Sequence, residues 1–139
     1  MFKATRAIYD ALTATGALKG VNTNENGKTS AVTVPFQAPG GGSYTIIFAN
    51  SDDDTDTAVR VFKLFHVGMF KKAKALEACN EMNNKFRYVK FVVDKDGDLN
   101  AEYDMTVRGC DPAAASVEMV IRFSKIIEEA YPVLAAACR

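Results

Sequence analysis

The sequence predicts an α+β fold: a single domain over residues 1–139 in which helices pack on a mainly antiparallel, five-stranded sheet. Two observations favour this fold class. The strand-like runs are separated by connections of hairpin length, which suit antiparallel pairing better than the long crossovers of a parallel sheet. Runs with helical periodicity stand before, between and after them, so the predicted element order is α-β-β-β-α-β-β-α.

The first half of the chain contains one predicted helix and three predicted strands. Apolar residues recur at helical spacing over residues 2–15, and a glycine follows as a natural helix end. The asparagine-rich segment 17–29 is interpreted as a connection with a short extended piece. Alternating or β-branched apolar residues then predict three strands, over residues 31–36, 44–49 and 58–65.

A second helix is predicted over residues 69–83. One of its faces carries an apolar stripe that amides continue toward the helix end: Met69, Ala73, Leu76, Asn80 and Asn83. Amide side chains on such a face cost free energy unless they are hydrogen-bonded. We therefore expect Asn80 and Asn83 to bond to the end of the helix or to the next strand, and so to fix the angle between the two.

A hairpin is predicted after this helix, from strands over residues 86–94 and 98–107 joined by the turn Lys95-Asp96-Gly97. Gly97 supplies a positive φ, and the aspartates bond to the turn backbone. Oxygen-bearing side chains also alternate here as in a calcium loop: Asp94, Asp96, Asp98 and Asn100. The sixth and twelfth positions of such a loop require glycine and glutamate, however, and are Leu99 and Met105 in this chain. A structural turn is therefore predicted, with calcium binding as the alternative.

The last helix is predicted to begin at Asp111 and Pro112, an N-cap followed by proline, and to run into residues 131–138. Its apolar residues spread over roughly 240° of the circumference, whereas a helix that lies on one sheet needs a stripe only a little over 100° wide. One face should cover the sheet and another should meet a partner. A second copy of the chain is one candidate, since two-fold dimers are the commonest assembly. The other is that the first helix packs there. The predicted partner surface consists of Met119, Phe123, Ile126 and Tyr131.

Composition argues against several function classes. Seventeen basic residues balance seventeen acidic ones, which gives no general attraction to nucleic acid or to an anionic membrane. No apolar run is long enough for a membrane span or a leader peptide, so a cytoplasmic location is expected. Three widely spaced cysteines and a lone histidine predict reduced thiols and neither a metal site nor a cofactor site.

Groups that carry chemistry are scattered along the chain. Asp52, Asp53, Asp54 and Asp56 form an acidic run, which is interpreted as a solvated loop and alternatively as a cation site or a contact for a basic partner. Cys79 and Cys110 are interpreted as ordinary buried or loop cysteines. The alternative is a reactive thiol at Cys110, because a helix N-terminus follows it and lowers the pKa of a thiol. No nucleophile, base and oxyanion donor can be grouped from the sequence, so an enzyme is not expected.

The helix end Asn80-x-x-Asn83, the strand after it, the Asp-x-Asp-Gly-Asp turn and the following strand together resemble the YbjN family of bacterial proteins. Members are often labelled sensory transduction regulators. The resemblance implies the fold of type III secretion chaperones, a homodimer, and structural roles for Asn80, Asn83, Asp96 and Gly97. The chain departs from the family in its glycine-rich loop and at Arg108-Gly109-Cys110.

The function implied by this resemblance is that of a non-enzymatic, protein-binding regulator or chaperone-like adaptor. It would act through an apolar surface of helix and sheet on a partner of unknown identity. The alternative is a small-ligand or cation-binding sensor that uses the acidic loops.

Overall fold

The computed structural model of the chain describes residues 1–53 and 56–139. Its helices and strands, in chain order, are α1 Lys3–Ala14, β1 Asn22–Glu25, β2 Ser30–Gln37, β3 Ser43–Asn50, β4 Asp56–His66, α2 Lys72–Lys85, β5 Lys90–Val93, β6 Asp98–Thr106 and α3 Pro112–Cys138. A short 3₁₀ turn, Met69–Lys71, leads directly into α2. The predicted α+β class is confirmed, since three helices accompany an antiparallel sheet.

Within the described residues the sheet has six strands rather than the predicted five, in the order β1-β2-β3-β4-β6-β5. The additional strand is β1, which lies in the segment interpreted as a connection. Its residues are polar and have low β propensity, and the strand forms because Asn22 to Glu25 pair with Thr33 to Ser30 of β2. A short polar strand at an exposed edge also discourages pairing with other chains.

All three helices contribute to one core with the inward-facing side chains of the sheet. α3 lies against both other helices and touches β4, while α1 also contacts β2 and β3 and α2 contacts β5. The opposite face of the sheet carries a row of partly exposed residues that are in register across four strands: Thr33, Ile47, Arg60 and Glu102. The core is therefore one-sided, between a helical layer and a sheet.

The partner surface predicted on α3 requires correction. Met119, Phe123, Ile126 and Tyr131 are all buried within this chain. The apolar residues of α3 cover so much of its circumference because α1 and α2 both pack on this helix. The ring of Tyr131 also lies 4.9 Å from that of Phe65. The structure shows the other predicted arrangement, in which the first helix packs against the last. Pro132 interrupts neither the helix nor this packing.

A buried polar network fastens the start of α1 to the sheet. The Thr5 hydroxyl lies 2.7 Å from that of Ser30 and donates to Asn50 Oδ1 at 2.9 Å. The amide nitrogen of Asn50 in turn donates to Thr57 Oγ1 at 2.6 Å. Buried hydroxyls and amides are costly when unpaired, and these four satisfy one another across α1, β2, β3 and β4. The network therefore specifies where α1 sits.

Candidate protein-binding surface

Asn83 joins the end of α2 to β5. Its side-chain amide donates to the carbonyl of Phe91 at 3.0 Å, and its Oδ1 accepts from the N–H of the same residue at 2.7 Å. Both backbone groups of Phe91 point away from β6 at the outer edge of the sheet, beyond which the described residues form no further strand. Asn83 therefore makes the two hydrogen bonds that a neighbouring strand would otherwise make with Phe91. Because these bonds join α2 to β5, Asn83 is placed to fix the angle between this helix and this strand.

Asn80 is placed differently from Asn83. It is exposed and lines a groove between α2 and α3, and its carbonyl accepts a hydrogen bond from the Asn84 side chain at 2.8 Å. The two amides predicted to act together therefore lie in different environments.

Asp94, rather than Asp96, organises the hairpin turn. Its Oδ1 accepts from the N–H groups of Asp96 and Asp98 at 2.9 and 3.0 Å, and its Oδ2 accepts from the Asn100 amide at 3.0 Å. These hydrogen bonds favour the ionised carboxylate and lower the pKa of Asp94, with the Asp98 N–H as the largest cause. Both carboxylate oxygens of Asp94 therefore accept hydrogen bonds from within the hairpin.

Gly97 is required at its position for two reasons. Its φ is +82°, which disfavours any residue with a Cβ. A Cβ there would also stand 3.1 Å from the Val67 carbonyl oxygen and 3.4 Å from the His66 ring. The Gly97 carbonyl meanwhile accepts from the Val67 N–H at 2.7 Å, so the turn is held against the end of β4.

Asn100 is a structural residue of this unit, although its sequence context predicts no role for it beyond the calcium alternative. It is buried in β6, and its Oδ1 accepts from the N–H of Lys63, which lies at a bulge in β4 and has a φ of 55°. A non-glycine residue with positive φ is strained, so Asn100 stabilises the bulge while it holds Asp94. The alternation of Asp94, Asp96, Asp98 and Asn100 is the signal that could have revealed this network.

The other candidate groups are dispersed. Asp53 Oδ1 accepts from the Lys3 N–H at the start of α1, and Asp54 lies outside the described residues. Cys110 is exposed, and burial raises the pKa of the Cys79 thiol to about 11, with Cys138 adding to the shift. In residues 1–53 and 56–139, no three His, Cys, Asp or Glu side chains are grouped so that they could hold a metal ion. Across the same ranges, none of the helices is both long and apolar enough to span a bilayer.

The apolar stripe predicted on the second helix faces solvent instead of the core. Phe70 is 96% exposed and Met69 85%, and Leu76 is 46% exposed on the same side. We call Met69, Phe70, Ala73 and Leu76 the α2 outer surface. The face that packs inward consists of Ala75, Ala78, Cys79 and Met82. α2 therefore has two apolar faces, of which its own chain covers one.

An open groove of about 570 Å³ borders the α2 outer surface. Its apolar lining comes from Ala78 of α2 and from Val133, Ala136 and Ala137 of α3, and its polar rim includes Lys74, Glu77 and Glu81. Small side chains on both helices leave this space unfilled. The groove is large enough to receive an apolar side chain from another molecule.

The fold and this surface define a small α+β protein whose one-sided core leaves an apolar helical surface open. The chain belongs to the YbjN family, described as "Putative bacterial sensory transduction regulator", which it matches over residues 29–135. This match confirms the family that the Asn80 to Val107 motifs indicate. No curated protein and no solved structure matches the chain.

Proposed function

We propose that this protein is a non-enzymatic regulator that acts by binding protein through the α2 outer surface. The observation that carries the proposal is the exposure of Phe70 and Met69 side by side, when nearly all other large apolar side chains of the described residues are covered at least in part. Burying such side chains against a partner is favourable because apolar area leaves water. Membership of a family described as regulatory is consistent with this function.

The neighbouring side chains suit a protein partner. Lys72, Lys74, Glu77 and Asn80 are exposed around the apolar residues. Protein interfaces typically combine an apolar centre, often with aromatic residues and methionine, and a polar rim that remains near solvent. The α2 outer surface has this composition, and it stands on a helix that Asn83 and α3 hold in place.

The chaperone-like part of the proposal is that the surface accepts a regular polypeptide segment. An apolar helix face beside an open groove can receive an amphipathic helix, whose anchors recur every three or four residues. The likeness to type III secretion chaperones remains an implication of the family resemblance and is part of this proposal.

Site-specific photo-crosslinking in living bacteria tests the function. A benzoylphenylalanine at position 70 should capture a polypeptide, whereas the same probe at Phe62 serves as the matched control. Phe62 is also an exposed phenylalanine, at 54%, but it lies on β4. Adducts at 70 and few at 62 support the proposal. No adduct at 70, or equal yields at both positions, contradicts it.

A further inference from the structure

A pocket of about 150 Å³ lies between the end of β6 and the first half of α3, and it shares no residue with the α2 outer surface. Of the three cysteines and five methionines of the chain, Cys110, Met105 and Met119 line this pocket. We propose that it is a binding site for a soft monovalent metal ion, Cu(I), with these three sulfur atoms as its ligands. The proposal does not depend on the function of the α2 outer surface.

The types of side chain in this pocket decide which class of metal it would take. Thiolate and thioether sulfurs are soft ligands that select Cu(I), whereas Zn²⁺ is held by thiolate, imidazole and carboxylate. The described residues offer no group of three His, Cys, Asp or Glu side chains for such an ion. Methionine is outside that set of ligands, so a site of one cysteine and two methionines favours Cu(I) over Zn²⁺.

The three sulfur residues come from three successive parts of the chain. Met105 lies in β6 and Met119 in α3, and they are only 2% and 6% exposed. Cys110 is exposed in the connection between these two elements, so an ion can reach its thiol from solvent. Because methionine is unbranched and has three rotatable bonds, both thioethers can adjust to an ion within the pocket.

The charges around the pocket are compatible with a bound monovalent ion. Arg122 Nη2 donates to Glu118 Oε1 at 2.8 Å, so the two charged side chains that line the pocket neutralise each other. Cu(I) replaces the proton of the Cys110 thiol, which passes to solvent, and the thiolate and the ion together carry no net charge. Binding therefore places no uncompensated charge beside the two buried methionines, where it would be costly.

Two tyrosine rings form one wall of the pocket. The ring centres of Tyr88 and Tyr103 are 5.6 Å apart, and the rings meet edge to face. The pKa of Tyr103 is raised, first by burial and then by Tyr88 and Cys110, which agrees with a thiol that lies close to this phenol. Since aromatic rings attract cations, this wall favours an ion held by the neighbouring sulfur atoms.

Competition for Cu(I) against the chromophoric chelator bicinchoninate tests the proposal on the purified full chain without oxygen. The wild type should withdraw one Cu(I) per chain. Cys110→Ser, Met105→Leu and Met119→Leu should each bind Cu(I) at least about tenfold more weakly, because each removes one ligand. Leucine is close to methionine in volume, so the two buried positions should remain filled. Met69→Leu, at a methionine that is 85% exposed and outside the pocket, is the matched control and should bind like the wild type.

Nuclear magnetic resonance of the methionine methyl groups locates the ion independently of its affinity. Cu(I) is diamagnetic, so the signal of a methyl group beside it shifts without paramagnetic broadening. The signals of Met105 and Met119 should shift on addition of one equivalent of Cu(I), whereas that of Met69 should not. Cys110→Ser should abolish both shifts, although it retains the buried thiols of Cys79 and Cys138.

Four results would overturn the proposal. They are a wild type that takes no Cu(I) from the chelator, methionine variants that bind as tightly as the wild type, a Cys110→Ser variant that still binds, and a stoichiometry of one ion per two chains. The second result would mean that a lone thiol holds the ion, the third that the buried thiols do, and the fourth that the ion bridges two chains. None of them bears on the proposed function, which the crosslink at position 70 tests separately.

Discussion

Single side chains decide how the Asn80 to Val107 unit is held together. Asn83 bonds to both backbone groups of Phe91, and Asp94 accepts from two N–H groups and one amide. The motif Asn80-x-x-Asn83 suggests two equivalent amides, but only a three-dimensional structure shows that one faces the sheet edge and the other a groove. The sequence therefore indicates that amides act at this helix end, but it does not indicate which groups each amide bonds to.

Replacing Asn83 by leucine should destabilise the fold by about 2 kcal/mol, because the N–H and carbonyl of Phe91 lose their partners at a half-buried edge. The matched control is Asn80→Leu, which should change the free energy of unfolding by less than about 0.5 kcal/mol since Asn80 is exposed. Urea unfolding followed by circular dichroism measures both. Equal effects of the two substitutions would contradict the distinct roles described for these amides.

The Asp94 carboxylate should make stability depend on pH in the acid range. Its pKa in the folded state is lowered from the ordinary 3.8, so its contribution is complete above pH 3.8 and is lost as pH falls through the lower folded value. Wild type and Asp94→Asn should therefore differ most in free energy of unfolding at neutral pH, and progressively less below pH 3.8. Lys95→Ala, a substitution in the same turn that removes no carboxylate, should show a gap independent of pH. A constant gap for Asp94→Asn would refute this role.

Among the helices and strands, the spacing of apolar residues predicts where helices form, but it does not predict which neighbours cover each helix face. The wide apolar surface of α3 indicates contacts on more than one face, but it does not say whether α1 or another molecule supplies them. On α2 the larger residues Met69 and Leu76 suggested the inward face. The inward face instead combines Met82 with three small residues, Ala75, Ala78 and Cys79. The small side chains let α2 approach its neighbours closely, since protein interiors are filled to crystal-like density.

Strand boundaries depend on backbone details that composition does not reveal. β5 begins at Lys90 and not at the predicted residue 86, because Phe86 ends α2 and Tyr88 has a φ of 70°, which a strand does not accommodate. β1 is not apparent from the sequence, because its pairing with β2 outweighs its polar composition.

Substitutions on α3 test its assignment to the core. Phe123→Ala should cost about 3–5 kcal/mol because it leaves a cavity in a fully buried site. Ile121→Ala, two residues earlier and 51% exposed, should cost less than about 1 kcal/mol. Denaturant unfolding compares the two variants. A mild effect of Phe123→Ala would contradict its burial in the core and would favour the partner surface that the sequence predicts at this residue.

For the whole molecule, the one-sided core explains where an interaction surface remains. α1 and α2 cover α3, and the sheet covers the other side of the core. The outward side of α2 is left with two of the most exposed large apolar side chains of the described residues. The fold class and the family were predictable from the sequence. The location of the binding surface was not, because it depends on which of several apolar faces the chain buries.

The most direct test of the proposed function is the yield of photo-crosslinked polypeptide from a benzoylphenylalanine at position 76, on the α2 outer surface, with and without a second substitution. The probe should capture a polypeptide in living bacteria and should lose it when Phe70→Ser is added, whereas Phe62→Ser, at an exposed phenylalanine on β4, should leave the yield unchanged. Because Phe70 is exposed, its replacement should leave the unfolding transition unchanged. Equal yields with and without Phe70→Ser, or no adduct in any of the three proteins, would contradict the central claim that the α2 outer surface binds protein.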